Sequence, residues 1–336
     1  MGARPAIATT LLNPGSVLEF FIEYHLSIGF EHIFLFFDNP NDPAISRARL
    51  YPSVSVIPND ALLHVAWRST YPYLFAFDKL DQHIRRQICN VDLAIQIAME
   101  MGFNWLLHID IDELFYSPKQ SAQQHFDNLD SQNINNIVYL NYEAIPERFD
   151  IDNYFKEVAL FKKNPRKEEM PRFNSSQRSL INKYFSSYGY FLSYKCGKSA
   201  VRVSPYVHPA NLNLDIIDKG GVHRFFDENR SDDYLFVAGD DHIILHYPSC
   251  GFERFWKKYK KFRYKPKSFY RDAREIALKN DDIAAKELYE NSIMMNNKLI
   301  VDNLIESGVL LRIGELSHLL HCPPAVGDSS IDESAQ

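Results

Sequence analysis

Three carboxylates fall within four residues at Asp110-Ile111-Asp112-Glu113, directly after the apolar run Trp105-Leu106-Leu107-His108-Ile109. Carboxylates this close repel one another, and any that are partly buried need a compensating charge. A hard divalent cation is the simplest partner, because it takes oxygen ligands. On an extended segment residues two apart point the same way, so Asp110 and Asp112 are expected to face one cation. Glu113 is then expected to turn the other way, toward backbone or a basic partner. The plain alternative is a solvated turn after a strand.

Other residues have types that would serve such a centre. The apolar run Ile33 to Phe37 also ends in acid and amide groups, Asp38-Asn39-Pro40-Asn41-Asp42. His246 closes a late apolar run, where its imidazole would complete a carboxylate–metal set or simply satisfy a turn. Lys195, Lys198 and Arg202 would hold phosphate or serve as surface charges on strands. Lys198-Ser199 does not belong to a phosphate-binding P-loop, since that motif needs a glycine where Leu192 stands. The basic run Arg254, Lys257, Lys258, Lys260, Lys261, Arg263 and Lys265 alternates with Phe255, Trp256, Tyr259 and Phe262. Its default reading is an amphipathic helix with a solvated basic face; its functional reading is a grip on a diphosphate, a nucleic acid or an anionic membrane.

The elements that position these residues follow an α/β pattern. Ala6 to Leu12 reads as a strand. After the turn Asn13-Pro14-Gly15, Ser16 and Glu19 fit a capping box for a helix that runs to about Ile28 and stops at Gly29. Ile33 to Phe37 is the second strand and Ser53 to Ile57 a third. An irregular aromatic stretch with Trp67, Tyr71, Tyr73, Phe75 and Phe77 follows. Ile84, Ile88, Val91, Ile95 and Ala98 then keep helical spacing up to Gly102. Asn104 to Ile109 is the strand that delivers the acidic cluster. In an open parallel sheet, ligands bind at the carboxyl ends of strands, so Asp38 and Asp110 are expected to flank one crevice. A helix from Ala122 to Leu129 and a strand from Ile137 to Leu140 lead to Asn141-Tyr142-Glu143. Lys162 to Arg178 is expected as a charged loop, Tyr184 to Val203 as β-rich, Gly220-Gly221 as the start of a short element and Ile243 to Tyr247 as a late strand. Phe252 to Tyr264 and most of Arg271 to Leu320 are expected as helix, and Pro323 to Gln336 as a disordered tail.

Composition narrows the class. The chain has 336 residues, 46% of them hydrophobic and 14% aromatic, the profile of a globular domain with room for aromatic-lined pockets. A net charge of -6 argues against a general nucleic-acid binder. The four cysteines Cys89, Cys196, Cys250 and Cys322 are far apart, so neither a zinc ribbon nor a disulfide framework is expected. No signal peptide and no transmembrane segment are evident, which places the chain as written in the cytoplasm. A missing N-terminal anchor would move it to the lumen of the Golgi or endoplasmic reticulum. The triplets Asn174-Ser175-Ser176 and Asn229-Arg230-Ser231 would matter only there.

Taken together, several stretches resemble glycosyltransferases of the GT-A type, in particular family 92 and its family-2-like relatives. They are Leu18-Glu19-Phe20-Phe21-Ile22-Glu23-Tyr24-His25 with Gly29-Phe30-Glu31-His32-Ile33, then Asp38-Asn39 and Asp42, and Arg86-Gln87 with Asn90. The strongest is Trp105 to Leu114, and the last is His246-Tyr247 with Phe252-Glu253-Arg254-Phe255 and Lys257-Lys258. The resemblance implies a Rossmann-like, mostly parallel sheet flanked by helices, with a β-containing acceptor region. It divides the chain into a transferase domain over 1–262 (nucleotide-sugar half 1–115, acceptor half 116–262), a helical extension over 263–322 and a tail over 323–336.

The activity implied is a metal-dependent, inverting, hexosyltransferase-like enzyme. It would move a sugar from a nucleotide-sugar donor, UDP-linked, to a hydroxyl of a glycan or other acceptor. By the same resemblance Asp110 and Asp112, with His246, hold Mn²⁺ or Mg²⁺, and Asp38, Asn39, Arg86, Asp110 and Lys198 contact the donor. Glu143 is the first candidate to deprotonate the acceptor, with Asp240, Asp241 and His223 as rivals. Relatives carry Lys-Ser shortly after the His-Tyr pair where this chain has Cys250-Gly251, so a diphosphate lysine is either lost or replaced by Lys195, Lys198 or Lys257. Two other functions fit a carboxylate–metal crevice: nucleotidyl transfer and sugar binding without catalysis.

Overall fold

The computed structural model describes residues 2–73, 83–165, 172–185, 187–209, 222–229, 235–237, 241–259, 268–314 and 316. Phe75 and Phe77, the Gly220-Gly221 start, Arg230-Ser231, Asp240, the second half of the basic run, Cys322 and the 323–336 tail lie outside the described residues.

Apolar runs without alternation make strands that are covered on both faces. Pro5–Leu11 (β1) and His32–Phe37 (β2) are such runs, and every residue in them is buried. Val54–Pro58 (β3) is half-buried at the sheet edge, and Trp105–His108 (β4) is again fully buried. These four strands pair parallel in the order β4-β1-β2-β3. The chain continues through Glu113–Tyr116 (β5), Asn136–Tyr139 (β6), Asn141–Ile145 (β7), Leu160–Lys162 (β8) and Lys198–Arg202 (β9). Then come Val207–Pro209 (β10), Phe225–Asp227 (β11), Leu235–Val237 (β12), Ile243–His246 (β13) and Leu310–Arg312 (β14). The main sheet has seven strands in the order β12-β6-β9-β4-β1-β2-β3, with β9 antiparallel to both its neighbours. A second sheet, β14-β8-β7-β13-β5, is antiparallel except for β7 and β13. The expected α/β architecture, parallel-rich with flanking helices, is the observed one.

The two-residue period of the strands sorts their side chains into two cores. Ile7, Ile33, Leu35, Trp105 and Leu107 join the cluster beneath the Leu18–Ser27 and Ala122–Ser131 helices. Ala6, Ala8, Phe34, Phe36 and Leu106 face the opposite way, onto Ile88, Val91 and Ile95 of the His83–Glu100 helix. That helix therefore runs from the carboxyl ends of the strands down one face of the sheet.

Several local expectations give way to tertiary contacts. Ser16 and Glu19 form no capping box: the Ser16 hydroxyl donates to Asp152 O at 3.0 Å and Glu19 pairs with Arg47 at 3.1 Å. Capping boxes form instead at Ser121/Gln124 and at Asn174/Gln177. The second begins a helix, Ser175–Tyr184, inside what the sequence presents as a charged loop. The segment before β9 is mostly irregular rather than β-rich. Phe252–Tyr259, Ser268–Lys279, Asp282–Ser292 and Lys298–Glu306 are helices as expected, but β14 then pairs with β8. The segment after residue 262 thus completes the second sheet, and its Phe269 and Tyr289 share a core with Leu192 and Phe255. Among the described residues no helix is long and apolar enough to cross a membrane.

Histidines are buried uncharged on the core side. Burial takes His25 and His125 down to about 3, the second helped by the His242 ring 4.0 Å away. His242 is lowered too, by burial. With folded values below the ordinary 6.5, the unfolded chain binds more protons, so stability falls as pH drops below about 6.5. Urea midpoints measured from pH 6.5 to 4.5 are expected to decline steadily, the several lowered histidines outweighing the opposite effect of the one raised carboxyl, Glu113. A midpoint flat to pH 4.5 would show that these rings gain protons in the folded state at no cost.

Candidate functional site

β4 ends at His108, and the next four residues turn directly into β5. Asp110 and Asp112 therefore sit in a turn, not on an extended segment, and the Glu113 N–H donates to Asp110 O at 3.0 Å. The Glu113 side chain folds back onto the same turn, accepting from Asp110 N at 2.8 Å. Asp110 is 31% and Asp112 20% exposed at the side chain, while Glu113 is fully buried.

Each carboxylate has a lysine. Lys198, the first residue of β9, has no exposed side-chain surface; its Nζ lies 2.7 Å from Asp110 Oδ2 and 3.6 Å from Glu113 Oε2. Lys258, on the Phe252–Tyr259 helix, reaches Asp112 Oδ2 at 3.1 Å. Burial opposes the charge of both aspartates, but Lys198 beside Asp110 and Lys258 beside Asp112 outweigh it and hold both carboxyls below their ordinary value. Burial equally opposes the Lys198 charge, and Asp110 with Glu113 reverses that. Glu113 goes the other way: burial pushes it up to about 8, with Lys198 pulling against and the two aspartate charges adding to the rise.

β13 brings His246 to the same place, in register with Glu113 of β5 and Glu143 of β7. Its Nε2 lies 4.0 Å from Asp112 Oδ1, too far for a hydrogen bond. Burial lowers this imidazole to about 4, so it is neutral near pH 7. The Tyr247 N–H donates to Asp112 O at 2.8 Å and locks β13 to the turn.

The His83–Glu100 helix joins the two acidic strand ends. Arg86 makes a fork onto Asp38 at 2.8 and 2.7 Å, His83 meets the same carboxylate at 2.8 Å, and Gln87 donates to Asp110 Oδ1 at 2.6 Å. Burial opposes the Asp38 charge, and the Arg86 and His83 hydrogen bonds overcome it. The crevice expected between Asp38 and Asp110 is thus bridged by one helix end. Asn39 turns inward on its own loop, accepting from Asn41 N at 3.1 Å.

The residues named for acid–base work part company. His223 is in the site: its ring contacts Tyr194 at 4.5 Å, its Nδ1 meets Gly197 O at 2.9 Å, and burial together with Lys198 holds it well below its ordinary value. Asp241 is not. It is an exposed partner of Lys119 at 2.6 Å, at the end of β13 away from His246 and roughly 16 Å from it along an extended chain. Glu143 is nearby but fully engaged, with Lys162 at 2.9 Å, Ser193 N at 2.7 Å and Leu192 N at 3.1 Å. Burial opposes its charge, Lys162 and Ser193 hold it ionised below its ordinary value, and both oxygens are occupied. That is the arrangement of a clamp on the 191–197 loop, not of a base open to a substrate.

Of the candidate phosphate lysines, Lys195 is exposed on that loop, and Arg202 pairs with Asp130 at the other end of β9. Lys257 is exposed beside Lys258, and it is Lys258 that reaches the acidic turn. Sequence reasoning left Lys258 inside a basic run, passed over Tyr194, and gave Gln87 and His83 no role. The Arg86-Gln87 and Lys257-Lys258 stretches of the resemblance carried a signal for Gln87 and Lys258; Tyr194 and His83 had none.

No protein-family profile matches the chain. It is similar to two curated proteins of Arabidopsis thaliana. Both are named glycosyltransferase-like. One is 27% identical over 318 residues, covering 87% of this chain and 66% of the relative. The other is 26% identical over 322 residues, covering 87% and 58%. The chain therefore spans roughly three-fifths to two-thirds of the length of the relatives it matches. Among solved structures, HddC from Yersinia pseudotuberculosis aligns with a TM-score of 0.31 at 13% identity over 76% of this chain and 97% of that one. Core-mannan synthase A from Aspergillus fumigatus, in a Mn/GDP form, aligns with a TM-score of 0.25 at 8% identity over 44% of each chain. Overlaps this slight establish no activity.

Removing the Glu143 charge leaves the buried Lys162 ammonium uncompensated. Glu143→Gln is expected to lower unfolding free energy by about 3 kcal/mol in urea titrations. A variant that keeps full stability and loses only turnover would restore Glu143 as the base.

Proposed function

We propose that this chain is a glycosyltransferase that uses a divalent cation to transfer a sugar from a nucleotide-sugar donor, UDP-linked, to an acceptor hydroxyl with inversion. The observation that supports it best is the meeting of Asp112 and His246 at 4.0 Å, beside Asp110 and under two lysines. Two ionised carboxylates and a neutral imidazole suit Mn²⁺ or Mg²⁺, and the unbonded 4.0 Å gap suits an ion better than a hydrogen bond. Among the described residues no three His, Cys, Asp or Glu side chains are grouped at ligating range, so donor oxygens or water would complete the shell. Asp112 and His246 would hold the ion directly, with Asp110 meeting it through water or a donor oxygen; when bound the ion supplies Lewis-acid stabilisation of a diphosphate leaving group.

The chain's own residues add the rest. Lys258, 41% exposed at the side chain, can extend from Asp112 to a phosphate oxygen once a cation takes over that carboxylate. Lys198 stays buried and keeps Asp110 ionised. Arg86, with Asp38 fixing its fork, and Asn39 border the end of β2, where the nucleoside would lie. His223 is the base this geometry favours: if Nδ1 donates to Gly197 O, Nε2 carries the lone pair.

The relatives' names agree with transfer of a sugar, and the acidic turn gives that chemistry a centre. A panel of nucleotide sugars with Mn²⁺ is expected to raise the thermal midpoint for one donor only, by about 2.7 kcal/mol of stability at a hundredfold excess over Kd. Asp112→Asn is expected to keep its fold and lose donor turnover by about a hundredfold or more. Normal turnover in that variant, or in excess chelator, would sink the reading.

A further inference from the structure

A histidine that ligates a metal is ordinarily aimed by a hydrogen bond from its second ring nitrogen to a carboxylate or carbonyl. His246 lacks this. Its Nδ1 is buried and has no hydrogen-bond partner among the described residues, so packing must set the angle of its ring. Among the described residues, the ring of Tyr194 lies against it, at 4.9 Å between centroids and 36° between planes.

Tyr194 is itself held at several points. Its hydroxyl donates to Glu113 Oε1, its ring contacts His223 at 4.5 Å, and Lys198 Nζ lies 5.3 Å from its centroid. Its carbonyl accepts from Asn141 Nδ2 at 2.9 Å. The two residues before it are tied down by Glu143 through the Leu192 and Ser193 N–H groups. A loop side chain anchored this way is a fixed wall.

We propose that Tyr194 is a positioning residue of the cation site: wedged between the His223 and His246 rings with its hydroxyl on Glu113, it sets the angle at which His246 meets Asp112. This rests on the metal-assisted transferase reading, but its test is read on metal affinity rather than turnover. The role belongs to the flat ring. Phenylalanine keeps that surface, whereas leucine and methionine fill the space without it.

Mn²⁺ binding to the full chain would be titrated by electron paramagnetic resonance, with and without UDP. Tyr194→Leu and Tyr194→Met, two variants so that one folding failure is not decisive, are expected to weaken Mn²⁺ affinity by about tenfold or more in protein that circular dichroism shows to be folded at the assay temperature. Tyr194→Phe is expected to restore it to within about threefold. Wild-type affinity in both ring-less variants would overturn the proposal. So would a phenylalanine variant as weak as leucine, which would assign the effect to the hydroxyl, and so would a wild-type chain that binds no Mn²⁺. Wild-type protein that binds Mn²⁺ but transfers no sugar would sink the transferase reading alone and leave the Tyr194 comparison standing.

Discussion

A lysine ammonium with no solvent exposure is costly to bury, and Lys198 is buried at the centre of this molecule. It is tolerable only because Asp110 lies 2.7 Å away and Glu113 3.6 Å away, both on the turn between β4 and β5. That turn in turn is tolerable only because the lysine is there. Gly197, at φ +76°, is what allows the approach: a Cβ there would stand 2.3 Å from Tyr139 O of β6. The antiparallel strand inserted between β4 and β6 is therefore not an incidental feature of the sheet. It delivers the cation that holds Asp110 ionised in a turn it shares with Asp112 and Glu113.

The second sheet solves a different problem, which is how to hold His246 and the 191–197 loop against that turn. β13 lies between β5 and β7, so the registers that place His246 also fix Glu113 and Glu143. The turn after His246-Tyr247 is braced from the C-terminal helices. The Tyr289 hydroxyl accepts from Gly251 N at 3.0 Å and donates to Ser249 O at 3.1 Å. Leu192 enters the same hydrophobic cluster as Tyr289. The C-terminal segment thus supports the site from behind through buried contacts, while β14 extends the sheet that carries it.

Glu143 illustrates how burial changes the meaning of a residue. A carboxylate just after a strand near an acidic site has the chemistry of a general base. Surrounded by Lys162, the Ser193 hydroxyl and two main-chain N–H groups, it becomes the fastener of a loop. Asp38 changes in the same direction, its carboxylate taken up by the Arg86 fork and His83. Groups that sequence patterns assign to substrate are here partly spent on holding other groups still, which is what a preorganised site requires.

The sequence alone determined the parallel core strands, the long helix between β3 and β4, and the place of the acidic cluster at the end of β4, because continuous apolar runs, helical spacing and clustered like charges are local signals. It also located His246 and His223, though not their partners. The tertiary structure decided which cations neutralise the turn, since Lys198 and Lys258 lie 88 and 146 residues from the aspartates they meet. It decided that Ser16 caps no helix, that Asp241 faces away, and that Tyr194 stands against His246. Those outcomes depend on strand register and on competition among distant partners, and neither is encoded in the spacing of neighbouring residues.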